Sequence, residues 1–270
     1  LMLAVESQRW LEKNHGSSEI LDPKEWSLLS NAVSKCRGLP AKTVQAFLQQ
    51  NLQMLDLNFD ACHWASRDLA LLCNALHRLS LSCNLHQDQV EMLHAFYARV
   101  MGEWATSYHA SSVVAPQDLA QLGSAVAAVT KKHQDIVARG FESLLQPWTI
   151  GERPKELMDG LSLEGICSLL QSMHRLNLPD PATSGGSGAA LRVLLRASLL
   201  QVPRRAGRKE ESLKPSHLGQ LCNSFANFLQ SQSSWKELES NGDDGSTDVL
   251  AGEILQLFSS TLYPAIVANA

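Results

Sequence analysis

The sequence predicts an all-α chain folded as an α-solenoid of about five helix-turn-helix repeats, a right-handed superhelix forming a single domain over residues 1–270. Three observations predict it. Leu, Ala, Gln and Ser are abundant, whereas prolines number 10 and aromatics make up 6%, a balance that favours helices over a sandwich or barrel. A pattern also recurs five times: "PKEWSLLSNAVSKC" (23–36), "SRDLALLCNALHRL" (66–79), "PQDLAQLGSAVAAV" (116–129), "LEGICSLLQSMHRL" (163–176) and "PSHLGQLCNSFANF" (215–228). The starts at 23, 66, 116, 163 and 215 lie 43, 50, 47 and 52 residues apart, which is the spacing of a helical-repeat array with insertions held in loops. Finally, every copy is followed by a second apolar-periodic segment.

Taken in order, residues 2–13 carry enough periodicity for a leading helix. The repeats then span about 22–55, 66–104, 115–146, 162–202 and 214–263. Within the first helices the apolar columns are Trp26/Leu69/Leu119/Ile166/Leu218, Leu29/Leu72/Leu122/Leu169/Leu221, Val33/Leu76/Val126/Met173/Phe225 and Cys36/Leu79/Val129/Leu176/Phe228. They fall on one helical face. A further column of small residues, Ala32/Ala75/Ala125/Ser172/Ser224, has no large member, as close approach of two helices requires. Three copies begin with Pro, and Asp68 and Asp118 sit in the first turn, where a missing N–H costs little and negative charge meets the positive end of the helix dipole. The second helices are expected over 43–55, 88–104, 135–145, 190–202 and 248–263. Stretches 176–189, 204–214 and 239–248, rich in Gly, Ser, Pro or charge, read as exposed loops inserted within the solenoid.

A net charge of −4 provides no global field for nucleic acid, so any such binding needs a local patch. None of the six cysteines forms a CxxC pair, and most sit in apolar periodic runs. Reduced, buried thiols in a reducing compartment are expected. Arg192 and Arg196 interrupt the longest apolar run, so no membrane span is predicted. The first residues lack the basic start and cleavage pattern of a secretory signal. No GxSxG, Walker loop, HExxH or dinucleotide turn is present, and no enzymatic activity, cofactor or small-molecule substrate is expected. Cys62 beside His63, and Cys83 three before His86, fall short of a four-ligand zinc arrangement. His77 and His174 share a repeat position, which explains them without chemistry.

The pattern P-x-D-L-A-x-L-x-x-A-[VL]-x-x-[VL], clearest in "PQDLAQLGSAV" and "RDLALLCNALHRL", resembles the first helix of octotricopeptide and heptatricopeptide-type repeats, including those of FAST kinase-like proteins. The resemblance covers roughly residues 22–263. It implies an organellar protein, mitochondrial or plastid, that binds RNA or sits in an RNA-containing assembly such as the mitochondrial ribosome. No RAP-like segment, a frequent companion of these repeats, is visible in these residues.

Helical geometry puts one further column nearly opposite the apolar stripe: Asn31, Asn74, Ser124, Gln171 and Asn223, all uncharged hydrogen-bonding groups. One turn on come Lys35, Arg78, Ala128, Arg175 and Asn227, basic in three copies of five. Amides beside cations can read base edges and phosphates. A solvated polar face in a Gln- and Ser-rich chain would look the same. The one strongly basic stretch carries Arg192, Arg196, Arg204, Arg205, Arg208 and Lys209, a phosphate-contact patch or a solvated helix flank. Residues 231–270 hold six acids against Lys236, suited to docking a basic protein. The expected function is thus a non-catalytic RNA- and protein-binding scaffold, its RNA taken to be ribosomal. The alternative is a protein-only, HEAT-like adaptor that takes a peptide or helix of a partner.

Overall fold

The computed structural model describes residues 22–61, 63–107 and 114–176, and beyond them residues 178, 194, 197, 198, 201, 219–224, 226, 252, 254–256, 259 and 260. The fold is all-α, with no strand among the described residues. The expected leading helix over 2–13 lies outside them. The chain divides into two compact units, Leu1–Gly140 and Phe141–Ala270.

The first unit holds α1 (Pro23–Lys35), α2 (Ala41–Asn58), a 3₁₀ turn (Phe59–Ala61), α3 (Ser66–Leu81), α4 (Gln87–Ser107), α5 (Pro116–Val126) and most of α6 (Lys131–Leu145). Each predicted helix of these three copies is present, with ends shifted by a few residues. Asp22 caps α1 by accepting from the Lys24 amide at 2.9 Å, Pro23 opens it, and Lys35 lies in its last turn. Asp68 and Asp118 occupy the first turns of α3 and α5.

Two layers result. The first helices pack side by side, α1 along α3 and α3 along α5, while α2 packs against α4 and against α3. Their directions follow from the ionic contacts. Asp118 at the start of α5 feels the charges of Arg67 and Asp68 at the start of α3, so those two helices run parallel. In the second layer the Gln45 amide donates to Gln89 at 3.0 Å, and His133 at the start of α6 meets Glu91 at the start of α4 at 2.9 Å. Thus α2, α4 and α6 are parallel too.

Small residues set the spacing. Ala70, Cys73 and Ala75 of α3 and Ala125 of α5 are all at 0% exposure, and side chains of that size let helix axes approach to roughly 8 Å. Between α4 and α6 the same part is played by Gly140, where a Cβ would lie 2.7 Å from Met101 Cβ. Polar groups join the layers. Trp26 Nε1 donates to Asn51 Oδ1 at 2.6 Å, Ser30 Oγ donates to the same oxygen at 3.1 Å, and Asn51 Nδ2 donates to the Phe47 carbonyl. Around them runs an aromatic chain, Trp26–Trp64–Phe59–Phe96–Tyr97, with centroids 5.6–6.0 Å apart.

The second unit continues from the end of α6 through a 3₁₀ turn (Gln146–Thr149), a short α7 (Arg153–Asp159) and α8 (Leu163–Arg175). Sequence periodicity predicts neither 3₁₀ turn nor α7, because elements of three to seven residues are too short to show a period. Ser162 caps α8 by accepting from the Gly165 amide at 3.1 Å. Ile166, Cys167 and Leu169 are at 0% exposure, each such Leu or Ile adding about 1.5–3 kcal/mol relative to exposure. Helical positions at 194, 197, 198, 201, 219–224 and 226 fall inside the predicted fourth and fifth copies.

Candidate nucleic-acid interface

The polar column is less open than helical geometry alone predicts. Asn31, Asn74, Ser124 and Gln171 are half-buried, and only Asn223 is exposed. Within the first unit α1 packs along α3 and α3 along α5, which leaves less of Asn31, Asn74 and Ser124 in water than a lone helix would. The next column does stand in solvent: Lys35, Arg78, Ala128 and Arg175 are all exposed. Because α1 packs along α3, the pairs Asn31/Lys35 and Asn74/Arg78 occupy equivalent positions on adjacent helices. Gln171 and Arg175 belong to α8 in the second unit, and Asn223 to the fifth copy. Arg192, Arg196, Arg204, Arg205, Arg208 and Lys209 lie outside the described residues, as does Asn227.

His174 shares the Arg175 end of α8. Partial desolvation of its ring, and then the adjacent guanidinium, hold its pKa below the usual imidazole range.

Two clusters that repeat alignment did not single out lie on the second layer. Arg99 pairs with Asp60 at 2.5 Å, stands 4.0 Å from Asp56 and 3.9 Å from Glu103, and covers the Phe59 ring at 5.2 Å. Its hydrogen bond lowers the Asp60 pKa, whereas desolvation and then Asp60 raise that of Glu103. Three carboxylates around one cation leave this patch acidic. A cavity of about 170 Å³ opens beside it, lined by Phe59, Trp64, Trp104, Glu103 and His63 among others. Phe59, Trp64 and Trp104 are 2–5% exposed, so they offer a ligand almost no apolar area.

The other cluster clasps α4 to α6. Glu91 pairs with Lys132 and with His133, and the Thr130 amide donates to His94 Nδ1 at 3.4 Å. Burial, followed by the His133 charge, lowers the His94 pKa. The signal that could have found both clusters is the repeat length itself. Arg99–Asp56 are 43 residues apart, Glu91–Lys132 41 and Gln45–Gln89 44, so residues about one period apart touch.

Among the described residues no three His, Cys, Asp or Glu side chains converge as metal ligands, and no helix is long and apolar enough to cross a membrane. Burial pushes the Cys167 thiol up to about 12 and the Cys73 thiol higher still, so neither is a nucleophile near neutral pH. No protein-family model, curated protein or solved structure matches the chain.

Proposed function

We propose that the chain is a non-catalytic α-solenoid that holds RNA and protein neighbours within an organellar ribonucleoprotein, of which the mitochondrial ribosome fits best. The solenoid reading is supported by the flanks of the five first helices. In the first copy Ser27 is sealed at 0% and Ala32 on the opposite flank is exposed. In the second, third and fourth copies both flanks are sealed, by Ala70 and Ala75, Ala120 and Ala125, Cys167 and Ser172. In the fifth, Ser224 is buried while Gly219 and Ala226 are exposed. Within the first unit α3, buried on both flanks, packs between α1 and α5, as helices of a repeat array cover their neighbours. The Gln201–Asp159 hydrogen bond of 2.5 Å, 42 residues apart, repeats the one-period contacts of the earlier copies.

The observation that carries the RNA reading is the exposure of Lys35 and Arg78 on adjacent helices, each one turn beyond a half-buried amide, Asn31 or Asn74. Such an arrangement offers phosphate contacts beside base-reading groups. Resemblance to the octotricopeptide and heptatricopeptide-type pattern supplies the organelle. The acidic patch around Arg99 favours a second reading, a protein-only adaptor, because carboxylates repel phosphate and suit a basic peptide.

Ultraviolet crosslinking to single-stranded RNA with mapped peptides separates the two. The RNA reading expects crosslinks in peptides containing residues 31–35, 74–78 or 192–209 and none at 56–60 or 99–103. Absence of crosslinks throughout contradicts it and leaves the adaptor.

A further inference from the structure

The seam between α4 and α6 has two unlike ends. At one end Glu91 carries Lys132 and His133, and about one turn further along α4 His94 Nδ1 accepts from the Thr130 amide at 3.4 Å. Both rings are interior, His94 at 8% and His133 at 9% exposure. About 10 Å further along the two helices, Gly140 lies against Met101 in a tight apolar contact.

The accepting role fixes the chemistry of His94. A ring nitrogen that accepts from a backbone amide keeps its lone pair, so the proton of the neutral ring is on Nε2. A second proton goes to Nδ1 and turns that acceptor into a donor facing a donor. It also adds a cation beside Lys132 and His133, which share the single carboxylate of Glu91. The Thr130 hydroxyl is buried without a hydrogen-bond partner, so the closed seam holds an unsatisfied group that water satisfies on opening.

We propose that this end of the seam is a proton-operated latch: protonation of His94 releases Thr130 and the first turn of α6 from α4, while the Gly140–Met101 end and the layer of first helices stay in place. Burial and then the His133 charge lower the His94 pKa, and Glu91 on its own helix acts against them. From α2 the side chains that meet α4 near this level are amides, Gln45 and Gln49 on Gln89, whereas Asp56 and Asp60 lie further along, at Arg99. From α3 the Cys73 carbonyl accepts from Tyr97, and burial pushes the Cys73 thiol and the Tyr97 hydroxyl up, so both stay neutral. Asp118 sits in the first turn of α5, the end away from Thr130, and Lys131 is exposed. The closed latch therefore binds the His94 proton more weakly than the open one, and falling pH below about 6.5 favours opening. The latch is independent of whether the chain binds RNA.

Native-state amide exchange of the full chain at pH 7 and pH 5, each rate divided by its random-coil value at that pH, tests it. Protection of Thr130 and residues 133–137 is expected to fall between the two by about tenfold or more beyond any fall in α3. An equal fall in both places, or none at 130–137, overturns the proposal. His94→Asn keeps an acceptor for the amide and takes no proton, so its protection at 130–137 is expected to hold to within about threefold of that of α3; a variant that loses protection there as the parent does also overturns it. The parent comparison stands by itself if the variant does not fold.

Discussion

Asn51 is a residue whose importance the sequence conceals. It sits within an apolar helix, 1% exposed, and its Oδ1 accepts from both Trp26 and Ser30. Asn51→Leu leaves two buried donors without an acceptor, a loss of about 2–4 kcal/mol to be read from urea unfolding. His94 makes a pH prediction. Its pKa is lowered in the folded chain by burial and by His133, so the unfolded chain binds the proton more readily. Stability from this group is therefore full above the ordinary imidazole value near 6.5 and falls as pH drops below it. His174 acts in the same direction. His94→Asn, which keeps an acceptor for the Thr130 amide, is expected to flatten the decline in melting temperature between pH 7 and pH 5; an unchanged slope contradicts the assignment. The carboxylates Glu91 and Asp60, whose pKa values are lowered by their cationic partners, act in a separate and lower window, beneath the ordinary carboxylate range.

At the scale of the element, the repeat alignment read the first helices well because their burial is one-dimensional. Each has an apolar stripe, and the columns led by Trp26, Leu29 and Val33 are buried at nearly every described position, Leu29 alone being half-buried. Ala75 and Ala125 also take the packing place that the small column predicts, while Ala32 does not, since it stands on the outer flank of α1. What the alignment missed is the second small column on the other flank, Ser27, Ala70, Ala120 and Cys167. Residues of that size tolerate water as readily as packing, so sequence alone does not say which side they face. Ala75→Leu is expected to overpack the α1–α3 contact at a cost of about 1–3 kcal/mol, and Gly140→Ala to do the same between α4 and α6, where the Cβ meets the Met101 backbone. Unfolding midpoints check both, and a variant as stable as the parent contradicts the close approach. Native-state amide exchange is expected to be slowest in α3, which is sealed on both flanks, and faster in α1.

For the whole molecule, the sequence made the helical class and the period legible, and the period in turn gives the contacts between second helices. The candidate interface was legible in part. Lys35 and Arg78 are exposed as their column predicts, but the amides beside them are half-buried on helices packed side by side, which no single helix encodes. With a net charge of −4, the chain has no bulk attraction for RNA to fall back on, so affinity rests on few phosphate contacts and the salt dependence counts them. The most direct measurement is a salt titration of binding to single-stranded RNA by the parent chain and by the Lys35→Ala, Arg78→Ala double variant. Each phosphate contact adds about 0.7 to the slope of log K against log salt on a single strand, so losing two lowers the slope by about 1.4. The account predicts binding that weakens with salt and a double variant whose slope is shallower by that amount; binding insensitive to salt, or the same slope in both proteins, contradicts it.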